Sequence, residues 1–360
     1  MSEEAGRQMA RVNRAALAET GGPASAAGST AAWRSPDGTF HNPWPVSEPH
    51  GLRDVMRWAA ERRGRHLAPT PPRGSFPSAK PVIAYPRVDP TTFTATWIGH
   101  STVLLQLGGL NILTDPVFSQ RAFPVQWAGP RRVMDPGLPL DRLPPIDVVL
   151  LSHNHYDHLD RPAVKSIARS LSPAATWVVP LGVGACIRRW GASEIIELDW
   201  WQGIEVRGLG ITATPARHFS GRKPWDRNKS LWCGYGMVMG ERRVLFAGDS
   251  AYHPAFGEIG AQCGPFDLVM MPVGAYDPRW FMGIVHMDPE QAVQAYQDLI
   301  TAHPSTAIPV MLGIHWGTFR LTDEPMDEPP IRTFARWRNL GLDEHRLWIA
   351  RFGETRVLAE

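Results

Sequence analysis

From residue 92 onward, short apolar runs alternate with turn residues. TFTATWIG (92–99), TVLLQL (102–107) and LNILTD (110–115) predict three strands. The last two flank Gly108-Gly109, a two-residue hairpin turn. IDVVLLS (146–152) is continuously apolar, as a strand covered on both faces would be. A helix is predicted around 162–170. Strands follow at TWVVP (176–180), GITATPA (210–216), LWCGYGMVM (231–239), RVLFAGD (243–249) and DLVMMPV (267–273). Asp288-Pro289-Glu290 opens a helix through QAVQAYQDLI, with a capping Asp and then Pro at the first helical position. A further strand, TAIPVMLGIH, ends at His315. Hairpin strands alternating with helices predict an α/β fold with two sheets packed face to face.

The amino-terminal part reads differently. Residues 1–40 are rich in Ala, Gly and Ser and are expected to form a disordered leader. Residues 41–80 form an arm on the core. Within it, 51–65 predicts a short amphipathic helix whose apolar stripe is Leu52, Val55, Met56 and Ala59. That stripe is expected to dock on the main domain, residues 81–360. A secondary reading lays this basic helix on anionic lipid headgroups, giving peripheral contact at the inner membrane face. The stretch APTPPRGSFPSAKP is too rich in proline for regular structure and predicts a strap.

Composition narrows the function classes. With 360 residues, 43 % hydrophobic and 20 % charged, the chain can bury a large core. A net charge of +2 gives no general reason to expect nucleic acid. The three cysteines are far apart and form no C-x-x-C pair, which fits a reducing compartment. There is no signal-type apolar core and no run of 18 apolar residues, so a cytoplasmic protein is expected. The fifteen tryptophans read first as core and groove packing, and second as a lipid-facing surface.

One segment carries the chemistry: Ser152-His153-Asn154-His155-Tyr156-Asp157-His158. Four candidate metal ligands fall within six residues, directly after a buried strand. Imidazole and carboxylate suit zinc, and iron or manganese also fits such donors. His218, Asp249 and His315 each stand just past the carboxyl end of an apolar strand. Strand ends on one sheet edge converge in space, so distant segments can build one cluster.

The H-x-H-x-D-H segment followed by His218, Asp249 and His315 resembles the metallo-β-lactamase superfamily. NPWP (42–45), HNHYDHLD (153–160) and GAYDPRWFM (274–282) resemble one branch, the N-acylphosphatidylethanolamine-hydrolysing phospholipase D family. The resemblance implies a four-layer αβ/βα sandwich with an extended amino-terminal arm and a two-zinc site on one edge. It puts one zinc on His153, His155 and His218, the other on Asp157, His158 and His315, and Asp249 between them. A bridging hydroxide would then attack phosphorus directly, because no Lys follows a His at the spacing that a phosphohistidine mechanism needs. The resemblance also implies a functional His286, contacting phosphate or giving a proton to the leaving oxygen. Asp115 reads as orienting a ligand histidine. His100, Tyr276 and Arg279 are further candidates for substrate or supporting contacts, with a salt bridge the equal alternative for Arg279. The expected activity is release of N-acylethanolamine and phosphatidic acid from the phospholipid. The alternatives are a related hydrolase of a soluble phosphodiester or sugar-phosphate lactone, and a metal- or lipid-binding protein without turnover. The resemblance raises a homodimer, which no sequence feature shows.

Overall fold

The computed structural model describes residues 33–44, 50–303 and 308–358. Its strands form two seven-stranded sheets. In spatial order the first holds β14 (Thr355–Val357), β1 (Phe93–Gly99), β2 (Thr102–Leu107), β3 (Leu110–Thr114), β4 (Val148–Leu150), β5 (Thr176–Pro180) and β6 (Glu194–Leu198). The second holds β13 (Leu347–Trp348), β12 (Val310–Ile314), β11 (Leu268–Pro272), β10 (Arg242–Phe246), β9 (Gly234–Met239), β8 (Leu209–Thr214) and β7 (Gly203–Val206). The β2–β3 hairpin turns on Gly108 and Gly109, both at positive φ (59° and 75°). That is the conformation a tight two-residue turn requires.

Side-chain alternation explains the apolar runs. Val103, Leu105, Val148 and Leu150 face the second sheet and pack in one cluster with Ile211, Tyr235 and Met237. Their neighbours Leu104, Leu113 and Val149 face outward, onto Val164 of α2 (Arg161–Ser166) and Ile187 of α3 (Gly184–Arg188). A strand apolar on both sides therefore lies between two layers. Burying each such side chain contributes roughly 1.5–3 kcal/mol. The far side of the second sheet is covered by α4 (Ala255–Cys263), α6 (Pro289–Thr301) and α7 (Glu328–Asn339), through Phe256, Tyr296 and Trp337, and the short α5 (Arg279–Met282) precedes α6. The result is a helix–sheet–sheet–helix sandwich.

The amino-terminal arm departs from expectation in two places. Of the leader, residues 1–32 lie outside the described residues. The stretch 33–40 is packed: Trp33 and Phe40 are buried, and Trp33 Nε1 donates to Asp199 Oδ1 at 2.8 Å. The predicted helix forms as α1 (Leu52–Gly64) and docks, but not through its apolar stripe. Leu52, Val55 and Met56 are 76 %, 44 % and 63 % exposed. Contact runs through an adjoining face. Trp58 Nε1 donates to Asp323 Oδ2 at 2.8 Å, and Arg62 pairs with Asp323 at 2.9 Å. Glu61 accepts from Trp280 Nε1 at 3.0 Å, and the Trp58 and Phe281 rings meet at 4.9 Å. The buried Asp323 carboxylate needs donors, and that demand decides the helix's rotation. The proline-rich strap carries no helix or strand and crosses the core with backbone bonds from Ala79 to Phe352 and from Gly74 to Val133.

Candidate metal centre

Strand direction positions the candidate ligands. β3 runs parallel to β4, and β10, β11 and β12 are mutually parallel. β8 shares their direction because both it and β10 are antiparallel to β9. The carboxyl ends of β3, β4, β8, β10 and β12 therefore open on one edge of the sandwich, and Asp115, the 152–158 loop, His218, Asp249 and His315 follow them directly. His100, Asp115 and His315 hold positive φ (55°, 30° and 63°), which non-glycine residues rarely adopt. A Cβ on Gly274 would lie 2.2 Å from the His315 carbonyl oxygen, so only glycine fits against this bend.

Three imidazoles meet in one group: His155 Nδ1 lies 2.8 Å from His153 Nε2 and 3.2 Å from His218 Nε2. In a second group, Asp157 Oδ2 lies 3.5 Å from both His158 Nε2 and His315 Nε2. Asp249 stands between the groups. Its Oδ2 is 3.0 Å from His158 Nε2, 3.0 Å from His315 Nε2 and 4.0 Å from His218 Nε2. The edge thus gathers all seven predicted ligands.

The remaining predicted residues separate into two sets. Asp115 accepts from Ser152 N and Oγ and from His158 Nδ1, at 2.7, 2.6 and 2.6 Å, which sets it against the ring of a candidate ligand. His100 joins the cluster, with Nε2 3.1 Å from Asp157 Oδ2. The His286 ring lies 5.0 Å from that of His218 and 5.3 Å from that of His315, with Nδ1 unbonded. It immediately precedes α6, whose N-cap Asp288 accepts from Gln291 N at 2.8 Å. Arg279 instead pairs with Asp288 at 3.3 Å and donates to the His286 carbonyl at 3.0 Å, which is its salt-bridge alternative. The Tyr276 hydroxyl donates to Glu328 at 2.6 Å and is tied to α7, not to the cluster.

The electrostatics fit cations. Burial holds His153 well below its ordinary value, His155 at about 3 and His218 at about 4, leaving three neutral imidazoles with lone pairs to give. Burial alone would raise Asp157 and Asp249, but His158 beside them holds both well below the carboxylate range. Burial works against charge on His315, yet Asp249 and Asp157 push it up to about 9. Two buried carboxylates thus call for positive charge among them. Asp249 Oδ1, His158 Nε2 and His315 Nε2 are buried without a hydrogen-bond partner. Orphaned donors and acceptors of these types, turned toward one another, fit a pair of divalent cations.

Comparison with known proteins agrees. A model of the β-lactamase superfamily domain matches residues 110–316. The chain belongs to the metallo-β-lactamase superfamily. It is a hydrolase of that superfamily, and its fold is that of metal-dependent hydrolases. An uncharacterized protein of Mycobacterium tuberculosis is 42 % identical over 302 residues, covering 83 % of this chain and 78 % of that one. The N-acyl-phosphatidylethanolamine-hydrolyzing phospholipase D 1 of Caenorhabditis elegans is 40 % identical over 250 residues, covering 65 % of this chain and 67 % of the relative. Among solved structures, a metallo hydrolase from Ignicoccus hospitalis shares the fold, with a TM-score of 0.56 at 21 % identity, covering 75 % of this chain and all of that one.

Proposed function

We propose that this metallo-β-lactamase-fold hydrolase is a phosphodiesterase of phospholipase D type. It releases N-acylethanolamine and phosphatidic acid from N-acylphosphatidylethanolamine. The observation that carries the reading is Asp249, whose one oxygen faces His218 on one side and His158 and His315 on the other. A carboxylate so placed would serve two cations at once. The likeness to the Caenorhabditis elegans phospholipase D supports the substrate class.

His153, His155 and His218 would hold one zinc, Asp157, His158 and His315 the second, and Asp249 both. Iron or manganese would suit the same donors, and elemental analysis of purified protein decides among them. Two such ions, when bound, supply a water nucleophile active near neutral pH and neutralise charge on phosphoryl oxygens. The chain's own residues do the rest. Asp115 fixes the ring of His158, and His100 fixes the carboxylate of Asp157. Burial keeps His286 neutral, so its ring offers an N–H donor to a substrate oxygen. The Arg279–Asp288 pair holds His286 at the edge of the cluster.

The exposed Leu52, Val55 and Met56 stripe of α1, with Arg53 and Arg63 beside it, would meet the inner membrane face from the cytoplasmic side. Among the described residues no helix is long and apolar enough to cross a membrane. Incubation with bacterial lipid extract, with and without added N-acylphosphatidylethanolamine, followed by mass spectrometry, tests the reading. Release of N-acylethanolamine is expected. Turnover of water-soluble phosphoesters alone would replace the lipid substrate with a soluble one.

A further inference from the structure

A cavity of about 1040 Å³ lies behind the metal-ligand loop. Asn154 and Tyr156 line it, whereas the alternate residues His153, His155 and Asp157 turn to the metal cluster. None of the seven candidate metal ligands lines it.

The cavity's charge sets it apart. Arg161, Lys165 and Arg169 line one side from α2 and its continuation to Leu171, at four-residue spacing. Arg222, Lys223 and Lys229 come from the segment joining β8 to β9. Arg121 and Arg189 complete eight cations against two carboxylates, Asp160 and Asp226. Three of the chain's four lysines are here.

Both carboxylates are already engaged. Asp160 accepts from Phe118 N, Ser119 N and Ser119 Oγ at 3.0, 2.8 and 2.7 Å. Asp226 accepts from the backbone of Arg222 and Lys223 at 2.8 Å each. Among the described residues, none of the eight cations makes an ion pair, although arginines elsewhere pair repeatedly. Arg222 spends one guanidinium nitrogen on the carbonyls of Asn154 and Leu159, at 2.8 and 2.7 Å, and lies over the Tyr156 ring at 3.8 Å. A concave surface that gathers uncompensated like charges raises its own potential, and an anion relieves it. Guanidinium and ammonium groups on facing walls match the several oxygens of phosphate.

We propose that this cavity is a binding site for a phosphate-bearing anion, separate from the metal centre and independent of which ester that centre cleaves. The anion is either a free phosphorylated solute or the headgroup of an anionic lipid. Phe123, on the lining, and the neighbouring Trp225 are exposed at 41 % and 69 %.

Calorimetric titration of the metal-loaded full chain decides this. Fructose 1,6-bisphosphate is the soluble probe. Phosphatidylcholine vesicles with and without phosphatidylglycerol form the lipid arm. Two variants reverse opposite walls: Arg161→Glu/Lys165→Glu/Arg169→Glu and Lys223→Glu/Lys229→Glu. A control reverses three exposed cations elsewhere: Lys80→Glu/Arg142→Glu/Arg346→Glu. Circular dichroism and metal content verify each fold. Binding weakened at least tenfold by either wall variant, unchanged in the control and reduced by added salt, is the expected result. Sugar bisphosphate binding identifies a soluble ligand, and binding only to vesicles with phosphatidylglycerol identifies a headgroup. Absence of binding to both probes, or equal affinity in wild type and wall variants, overturns the proposal.

Discussion

His158 Nδ1 donates to Asp115 Oδ2 at 2.6 Å, joining the ligand loop to the end of β3 across 43 residues of sequence. The bond fixes which ring nitrogen faces Asp249. Asp115→Asn keeps the shape but removes the charge and one acceptor. Metal affinity should fall by about 10–100-fold, as is typical when such a supporting partner is lost. Competition with a chromogenic chelator measures it, and wild-type affinity in the variant would refute this role.

His286→Ala should leave two metal ions per chain and lower kcat more than it raises KM. The ring borders both histidine groups and lies within ligand distance of His218 and Asp249, but each of the two predicted ligand sets is complete without it. Elemental analysis alongside steady-state kinetics separates the outcomes. A variant that binds one ion would make His286 a ligand instead.

Metal-stripped protein should be most stable near pH 6–7. His155 (about 3) and His218 (about 4) are depressed by burial, so the unfolded chain binds more protons than the folded one as pH falls below the free-histidine value. Stability is lost on that side, down toward pH 4. Burial opposes charge on His315, but Asp249 and Asp157 raise it to about 9, so its contribution is present below the unfolded value and is lost as pH rises through 9. A bound cation takes the place of that proton. The alkaline loss should therefore be smaller in metal-loaded protein. Tm measured against pH for both forms tests this, and parallel curves would contradict it.

Asp323→Ala should release α1 without unfolding the sandwich. Three donors of the arm, from Trp58, Arg62 and Arg65, converge on this carboxylate. Both arginines can return to water, so the loss should be about 1–3 kcal/mol and local. Trypsin should cut within α1 faster while the main thermal transition moves little. An unchanged cleavage rate would show that the aromatic contacts suffice.

Much of the metal centre was legible because its information is local. Four donors crowd into residues 153–158, and His218, Asp249 and His315 each stand just past an apolar run. The hairpin at Gly108-Gly109 and the cap at Asp288 are equally local. The face on which α1 docks was not legible. Its apolar stripe suggested burial there, but the carboxylate that anchors it stands more than 250 residues away. Tyr276 likewise found a partner in α7 that nothing near it in sequence announced.

The order of apolar runs and the donor types at their ends were set by the chain alone, since strand pairing and ligand chemistry depend on neighbours a few residues apart. Which oxygen of Asp249 stands between two histidine groups, which side of α1 touches the core, and that eight scattered cations surround one cavity were decided by packing. These depend on distances between segments far apart in the chain, and only the folded backbone fixes such distances.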